Sequence, residues 1–365
     1  MATTLSICIA SYNKAETTYT LVNSLLTCNN PEMEVVVVDN ASTDNTIEKL
    51  KTITDDRLRV VSHEKNIGAA PNILASIYAG AGDYCLYTND RDIIIPEKLD
   101  GFISYLNNNP TIGGGHCVRN KLNVESTSVV YQGVNALLNI NFRDEHPTGY
   151  FFKRSLLSLI PVESLEKYGH PKGYASFVWE NLLCEIICMN KEVAQYNDVI
   201  WRSTGNTSSA NYRSGYAKMD DLSDRWFYPG NCLRRAIGNT EDTLRLVKEK
   251  GISLTDSERY QMYANLLGSE FRYAVYRYKV IFETPNLAFH YKVPLRKISK
   301  NEVYECRREF FDGYLEYIRR IEGGPNELEN YLTDRIKKMD KEHCLTIRGW
   351  LSKIKNNIIN RLASK

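Results

Sequence analysis

Residues 34–46 read EVVVVDNASTDNT, in which four valines run into an acidic, turn-forming segment. The apolar run predicts a buried parallel strand that delivers Asp39 to the carboxyl edge of a sheet. Ligands of open α/β sheets bind at that edge, where a carboxylate can accept a hydrogen bond from a base or a ribose, so the first hypothesis is a nucleotide site. The alternative is that Asp39, Ser42 and Asp44 cap a helix that begins near Thr46. By itself the segment supports both.

Two further predicted strands also end in polar side chains. Residues 4–10 predict a first buried strand that runs into Ser11-Tyr12-Asn13-Lys14. Residues 83–88 predict a short strand that ends in Asn89-Asp90-Arg91-Asp92. Two carboxylates at an i, i+2 spacing suit a hard cation such as Mg²⁺ or Mn²⁺, which would join them to a diphosphate. These additional strand ends favour the nucleotide hypothesis.

Four strings, SICIASYNKAET, EVVVVDNASTDNT, HEKNIGAAPN and YTNDRDIIIPEKL, closely resemble family 2 glycosyltransferases of the GT-A fold, of the bacterial cell-surface polysaccharide type. The resemblance covers roughly residues 4–205. It implies an α/β fold with a Rossmann-like, mostly parallel sheet flanked by helices, and a divalent cation, Mn²⁺ or Mg²⁺, as cofactor. The patterns after residue 230, with predicted breakers at Gly251, Pro285, Pro294 and Gly323-Gly-Pro325, add an all-helical C-terminal domain.

The resemblance also implies roles for individual residues. The implied nucleotide-binding residues are Ser11, Tyr12, Asn13, Asp39, Asn66, Gly68 and Asp90. Asp92 would bind the cation and the diphosphate, with Asp90 beside it near the ribose. Asn89 and Arg91 stand where acidic residues are frequent in the family. Arg91 either weakens the metal site or pairs with a neighbouring carboxylate.

The acceptor side is predicted to follow the nucleotide half. Gly149 and Tyr150 lie in a segment that resembles the family's acceptor-side strand, and Arg202 precedes a loop that would hold a diphosphate or close as a lid. Glu180 opens a helical run and is the candidate general base, with Glu185 in reserve. An inverting transfer needs one carboxylate that takes the proton of the acceptor hydroxyl. The alternative is a solvent-exposed helical glutamate.

Length and charge indicate a chain of two domains. With 365 residues, we expect a GT-A domain over residues 1–230 and a helical domain over residues 231–365. The first divides into a nucleotide half (1–110) and an acceptor half (111–230). Residues 231–365 hold 26 Lys and Arg against 18 Asp and Glu, whereas residues 1–230 hold 20 against 26. The basic C-terminal part suggests an anionic surface as its partner, or a basic solvated bundle.

Several smaller features agree with a cytoplasmic enzyme. Nine cysteines, several within apolar runs, are interpreted as reduced core thiols rather than metal ligands. His146 and His170 are interpreted as polar loop contacts. The first predicted strand starts too early to leave room for a signal peptide, and no run approaches the ~20 apolar residues of a membrane span.

Residues 345–362 predict a basic amphipathic helix. Its apolar positions are Ile347, Trp350, Leu351, Ile354, Ile358 and Leu362. Such a helix lies well at an interface with anionic lipid, which would make the enzyme peripheral on the inner face of the cytoplasmic membrane. The alternative is packing on its own domain or on a second subunit of a homo-oligomer.

The resemblance thus predicts an inverting glycosyltransferase of the hexosyl- or N-acetylhexosaminyltransferase class. It would move a sugar from a nucleotide sugar, with UDP as the expected nucleotide, to a glycan or lipid-linked saccharide acceptor. No nucleic acid partner is expected. A second hypothesis, motivated by Asn89, Arg91 and Asn181, is a catalytically weak sugar-nucleotide or glycan-binding membrane scaffold. A nucleotidyltransferase is disfavoured, because the Gly-rich, Lys-bearing phosphate loop that it needs after the first strand is absent.

Overall fold

A central sheet organises the protein. The computed structural model describes residues 3–118, 127–140, 146–162, 178–203, 227–285, 288, 293–324 and 327–341. The strands are β1 (Leu5–Ser11), β2 (Met33–Asp39), β3 (Leu58–Ser62), β4 (Tyr84–Asn89), β5 (Ile93–Ile94), β6 (Ile112–Cys117), β7 (Ser128–Tyr131), β8 (Tyr150–Lys153), β9 (Glu192–Tyr196) and β10 (Trp201–Arg202).

Eight of these strands form one mostly parallel sheet in the order β3-β2-β1-β4-β8-β6-β9-β7. Strands β1 to β4 are parallel to one another, and β6 is parallel to β9. Strand β8 runs antiparallel to β4 and β6, and β7 runs antiparallel to β9. The short strands β5 and β10 pair separately. The predicted α/β class and mostly parallel sheet are confirmed.

Helices cover both faces of the sheet. Those of the first part are α1 (Ala15–Leu26), α2 (Thr46–Leu50), α3 (Ala69–Ala79), α4 (Leu99–Asn108), α5 (Gly133–Asn139), α6 (Arg154–Leu157) and α7 (Val178–Cys188). The hydrophobic core on one face includes residues of α1 and α4, and the core on the other includes residues of α3, α5 and α7. Because both faces are covered, Val35, Val36, Val37 and Val38 in β2 are all buried, which explains the uninterrupted valine run.

The C-terminal region is helical, as predicted. It contains α8 (Pro229–Glu249), α9 (Asp256–Phe271), a π-helix (Arg272–Arg277), α10 (Tyr278–Glu283), α11 (Lys300–Glu322) and α12 (327–341). Gly251 and Gly323 follow α8 and α11 with positive φ angles of 65° and 74°, so these two predicted breakers lie at helix ends.

The helical region packs on the sheet half through a shared core. One hydrophobic cluster runs from Ile77 in α3 through Leu183 in α7 to Ala236 in α8 and Phe310 in α11. All eleven residues of α7 are therefore buried. The division into two domains at residue 230 stays a prediction, although α8 begins at Pro229.

A buried ion pair connects two helices of the C-terminal region. The Arg235 side chain is 6% exposed and donates to both carboxylate oxygens of Glu270, from Nε at 2.9 Å and from a terminal nitrogen at 2.6 Å. Burial raises the pKa of Glu270, and Arg235 opposes that rise. The pair compensates two charges that would each be costly to bury alone.

Arg235→Met is expected to lower the free energy of unfolding by about 3–5 kcal/mol, because it leaves the buried Glu270 carboxylate without its cation. Urea unfolding monitored by circular dichroism measures this. The double variant Arg235→Met/Glu270→Leu should recover most of the loss, since it buries no charge. A double variant as unstable as the single one would show that the arginine stabilises the protein through packing alone.

The predictions about membrane spans, cysteines and the C-terminal segment can be compared with the described residues only. No described helix is long and apolar enough to cross a membrane. Eight cysteines are described, all buried and without a disulfide, which agrees with core thiols. The predicted amphipathic helix over residues 345–362, the loop after Ser203 and His170 lie outside the described residues.

Candidate functional site

Three parallel strand ends meet at one edge of the sheet. In the strand register Ser11 is opposite Asp39, and Ala10 is opposite Asn89. The segments that follow β1, β2 and β4 are therefore neighbours. This is the edge at which open α/β sheets bind their ligands. The prediction that these three segments lie together is confirmed.

The Asp39 carboxylate, which is 1% exposed, closes a tight turn. It accepts a hydrogen bond from the Ser42 backbone N–H at 2.9 Å and another from the Ser42 hydroxyl at 2.5 Å. The carboxylate that binds the backbone at the start of α2 is that of Asp44, which accepts from the Thr46 backbone N–H at 3.0 Å. Asp39 is thus not a helix cap, and its carboxylate retains acceptor capacity for a ligand. A nucleotide contact from Asp39 stays a prediction.

Asn13 joins the segments after β1 and β2. Its backbone has a φ of +53°, and its side-chain oxygen accepts from the backbone N–H groups of Thr43 at 2.7 Å and Asp44 at 3.3 Å. The Ser11 hydroxyl shares a hydrogen bond of 2.8 Å with Thr18. Both side chains are engaged within the protein. Tyr12, the remaining member of the predicted Ser11, Tyr12 and Asn13 set, is half-buried, and its stacking on a base stays a prediction.

Asn40 organises a second loop at this edge, and the sequence analysis missed it. Its side-chain oxygen accepts from the Ile67 N–H at 2.8 Å, and its amide nitrogen donates to the Asn66 side chain at 3.2 Å and the Gly68 carbonyl at 3.1 Å. Gly68 has a φ of +95°, which favours glycine. The predicted residues Asn66 and Gly68 are therefore held beside the end of β2. The position of Asn40 directly after Asp39 was the available signal.

Asp92 is buried, and its two carboxylate oxygens differ. Oδ2 accepts from the Thr148 hydroxyl at 2.5 Å and from the Asn89 amide at 3.1 Å, and it lies 3.4 Å from His146 Nε2. Oδ1 has no hydrogen-bond partner among the described residues. The contact of Thr148 with Asp92 spans 56 residues of sequence, so no local signal predicted it. His146 does contact polar groups, as interpreted.

Asp90 lies among charged neighbours at the same loop. Burial raises the pKa of its carboxyl to about 6, and the positive charges of Arg91 and Lys14 oppose the rise. Burial lowers the pKa of Lys14 in turn. Whether Arg91 weakens a metal site or pairs with a carboxylate stays a prediction. Lys14 is an additional cation at this edge that the sequence analysis placed in the loop without a role.

The residues present fit a divalent cation in part. Across the described ranges no group of three or more His, Cys, Asp or Glu side chains is arranged to hold a metal ion. The buried and unpartnered Oδ1 of Asp92 is nevertheless the kind of atom that a cation would satisfy. Magnesium-type sites often use only one or two carboxylates and complete their shell with phosphate oxygens and water. Asp92 and Asp90 therefore remain the predicted ligands.

Glu180 lies in the first turn of α7, beside strand β8. It is 0% exposed, so the alternative of a solvent-exposed helical glutamate is wrong. Its Oε1 accepts from the Tyr150 hydroxyl at 3.3 Å, and Tyr150 is the first residue of β8, the strand next to β4. Glu185, 7% exposed, lies five residues further along the helix and so faces a different direction.

Gly149 and Arg202 have different surroundings. Gly149 has a φ of +102°, and a Cβ atom there would lie 2.4 Å from Nε1 of the buried Trp201, so the residue is required for packing as well as for backbone conformation. The side chain of Arg202 is exposed, and its backbone pairs with Ile93 next to the Asp92 loop. A phosphate contact from Arg202 stays a prediction.

Comparison with known proteins places this site in a family. The family model described as "Glycosyl transferase family 2" matches residues 6–161, which include the three strand ends and the Asp92 loop. This region belongs to glycosyltransferase family 2. The family 2 domain thus contains every predicted nucleotide and metal residue, whereas Glu180, Glu185 and Arg202 follow the matched range.

Curated relatives resemble the family 2 domain over short alignments. The abequosyltransferase RfbV of Salmonella typhimurium is 31% identical over 116 residues, covering 30% of this chain and 34% of the relative. The UDP-Glc:alpha-D-GlcNAc-diphosphoundecaprenol beta-1,3-glucosyltransferase WfaP of Escherichia coli is 28% identical over 102 residues, covering 28% and 41%. The chain therefore spans well under half the length of these two relatives.

Solved structures are similar over a larger share of the chain. The S. aureus TarS 1–349 structure in complex with UDP-GlcNAc has a TM-score of 0.48 and 16% identity, and covers 88% of this chain and 93% of its own. The mannosyltransferase PcManGT from Pyrobaculum calidifontis, in complex with GDP-Man and Mn²⁺, has a TM-score of 0.47 and 16% identity, and covers 93% and 87%.

Proposed function

We propose that the protein is an inverting glycosyltransferase that moves a sugar from a nucleoside-diphosphate sugar to a saccharide acceptor. One observation supports this most. Ser11, Asp39 and the Asp90–Asp92 loop meet at the carboxyl edge of the sheet, and the buried Glu180 contacts the strand beside them. The proposed donor site would then lie at the end of β4, and the candidate base on α7 would lie beside the adjacent strand β8.

The roles of the residues follow from this placement. The nucleotide would lie across the ends of β1 and β2, against Tyr12 and Asp39, with the loop at Asn66 and Gly68 enclosing it. The diphosphate would lie at Asp90 and Asp92, which would hold a divalent cation. Such a cation, when bound, offsets the charge that builds on the leaving diphosphate.

Glu180 would take the proton from the acceptor hydroxyl as that oxygen attacks the anomeric carbon. Its contact with the Tyr150 hydroxyl orients the carboxylate. The acceptor would enter on the side of Gly149 and Tyr150. Because both Glu180 and Tyr150 are buried, this side would exclude water from the activated sugar and limit hydrolysis.

Curated relatives suggest the substrates. WfaP is named for a UDP-glucose donor and a diphosphoundecaprenol-linked GlcNAc acceptor. We therefore propose a UDP-sugar of the hexose or N-acetylhexosamine class as donor and a lipid-linked saccharide as acceptor, in the synthesis of a cell-surface polysaccharide.

A panel of sugar nucleotides tests this function. The purified chain is incubated with UDP-, GDP-, CDP- and dTDP-sugars, Mn²⁺ and lipid-diphosphate saccharides, and the released nucleoside phosphate is measured. We expect acceptor-dependent release of UDP from one UDP-sugar, and NMR of the product should show an inverted anomeric carbon. Tight donor or glycan binding without release would favour the weakly catalytic scaffold instead.

We propose further that the segment over residues 345–365 brings the enzyme to a membrane that contains its acceptor. Deleting the segment is expected to abolish sedimentation with anionic liposomes and leave transfer to a short soluble acceptor intact. Several large apolar side chains at about 1.5–3 kcal/mol each, with about 1 kcal/mol per cation near the surface, would supply the binding energy.

Salt is the accompanying control. High salt should weaken liposome binding only in part, because the apolar contribution is not screened. If the truncated protein unfolds or changes its oligomeric state, and neither form binds liposomes, the segment packs on its own domain or on a second subunit.

A further inference from the structure

Of the two carboxylate oxygens of Asp92, Oδ2 accepts hydrogen bonds and Oδ1 has no partner among the described residues. This difference suggests which oxygen faces a ligand. Resting on the proposed function, we infer that Thr148, Asn89 and His146 are positioning residues that hold Oδ2 of Asp92 and thereby aim Oδ1 at the cation. None of the three would touch the cation or the sugar. We call them the Asp92 cradle.

Neighbouring contacts set the direction of each hydrogen bond in the cradle. The Thr148 hydroxyl accepts from the Asn89 backbone N–H at 3.0 Å, so its own proton is directed at Asp92. The Asn89 side-chain oxygen accepts from the Tyr87 hydroxyl at 3.1 Å, which leaves its amide N–H groups facing Asp92. The Thr148 hydroxyl and the Asn89 amide therefore both donate to Oδ2 of Asp92.

His146 completes the cradle. Its Nδ1 accepts from the Thr148 backbone N–H at 3.3 Å, which places the proton of a neutral ring on Nε2, 3.4 Å from Asp92 Oδ2. The ring is stacked on Trp201, with centroids 4.8 Å apart and an interplanar angle of 27°. The Trp201 indole N–H in turn donates to the Cys117 carbonyl at 2.8 Å. The position of the imidazole is thus fixed by packing from the acceptor half.

The cradle restricts a torsion that is otherwise soft. The terminal torsion of an aspartate is broad and roughly two-fold, so an unrestrained carboxylate can present either oxygen. Two hydrogen bonds to Oδ2, together with the His146 ring nitrogen 3.4 Å away, remove that freedom. The opposite oxygen, buried and without a partner in the described part of the chain, is the one left for a ligand. Partners of this kind around metal ligands typically change metal affinity by about 10–100-fold.

Replacing the Thr148 hydroxyl tests the inference. Thr148→Val keeps the shape and removes the donor, whereas Thr148→Ser keeps the donor. The matched control is Thr88→Val, which removes a fully buried hydroxyl that donates to the Asn89 carbonyl at 3.3 Å and makes no hydrogen bond with Asp92 among the described residues. Mn²⁺ affinity is measured by electron paramagnetic resonance in the presence of UDP, and kcat and KM are measured at saturating Mn²⁺.

We expect Thr148→Val to weaken Mn²⁺ binding by about 10–100-fold, and Thr148→Ser and Thr88→Val to bind as the unaltered protein does. Excess Mn²⁺ should restore much of the lost kcat with little change in the donor KM. If Thr148→Val fails to fold, Asn89→Ala, which removes another donor to the same oxygen, decides the question by the same measurement.

Two results would overturn the inference and are distinguishable. Unchanged Mn²⁺ affinity in a folded Thr148→Val or, in its place, Asn89→Ala would reject the cradle and leave the proposed transferase intact. An unaltered protein that binds no Mn²⁺ and turns over fully in EDTA would reject the cradle together with the cation of the proposed function.

Discussion

Glu180→Gln is expected to lower the rate of sugar transfer to the acceptor by about 10²–10⁴-fold. The substitution keeps the size of the side chain and the carbonyl that can accept from the Tyr150 hydroxyl, but it removes the group that takes the acceptor proton. Donor affinity should change little, because none of the predicted nucleotide residues lies on α7. Single-turnover transfer assays and donor binding by calorimetry measure the two quantities separately.

Glu185→Gln is the matched control, since it makes the same change on the same buried helix. It should transfer at nearly the normal rate. If Glu185→Gln loses transfer and Glu180→Gln does not, Glu185 is the base. If both lose donor binding as well, the helix stabilises the fold and neither carboxylate is assigned to proton transfer.

Asp92→Asn is expected to reduce kcat by about 100-fold or more, through loss of a contribution to charge stabilisation that metal ions supply at several kcal/mol. The asparagine oxygen can occupy the place of Oδ2, accept from Thr148 and Asn89 as before, and keep the contact with His146. The amide nitrogen then replaces Oδ1 and puts a hydrogen-bond donor where the proposed cation ligand was. The fold should therefore be retained, as a thermal melt would show, while the cation is lost.

EDTA should reproduce the effect of Asp92→Asn in the unaltered protein, and Mn²⁺ should rescue the unaltered protein only. Full turnover in the chelator would contradict the cation assignment. Arg91, whose positive charge already acts on Asp90, would then be the candidate for the substitute of the cation.

Sequence patterns predicted the parts of this molecule that depend on local order. The valine run and the polar residues that follow it located β2 and Asp39, and the same logic located the ends of β1 and β4. Each inference needed only the strand period and the rule that parallel strands end at one edge. Gly251 and Gly323 likewise predicted where two helices of the C-terminal region end.

Contacts between distant segments could not be read in this way. Thr148 and His146 meet Asp92 only because β8 is inserted antiparallel beside β4, and no pattern in the sequence predicted that neighbour. The burial of Glu180 was missed for a similar reason. An acidic residue at the start of a helix suggests exposure, but α7 is enclosed between the sheet and α8, which no local signal reveals.

The enclosure of α7 limits how this protein can be re-engineered. A chimaera could exchange the C-terminal region at the predicted boundary, residue 230. Here that junction would pair the α7 of one parent with the α8 of another, across a hydrophobic contact that both helices share. A working exchange would have to transfer α7, α8 and their facing side chains as one block, and the candidate base Glu180 would be transferred with them.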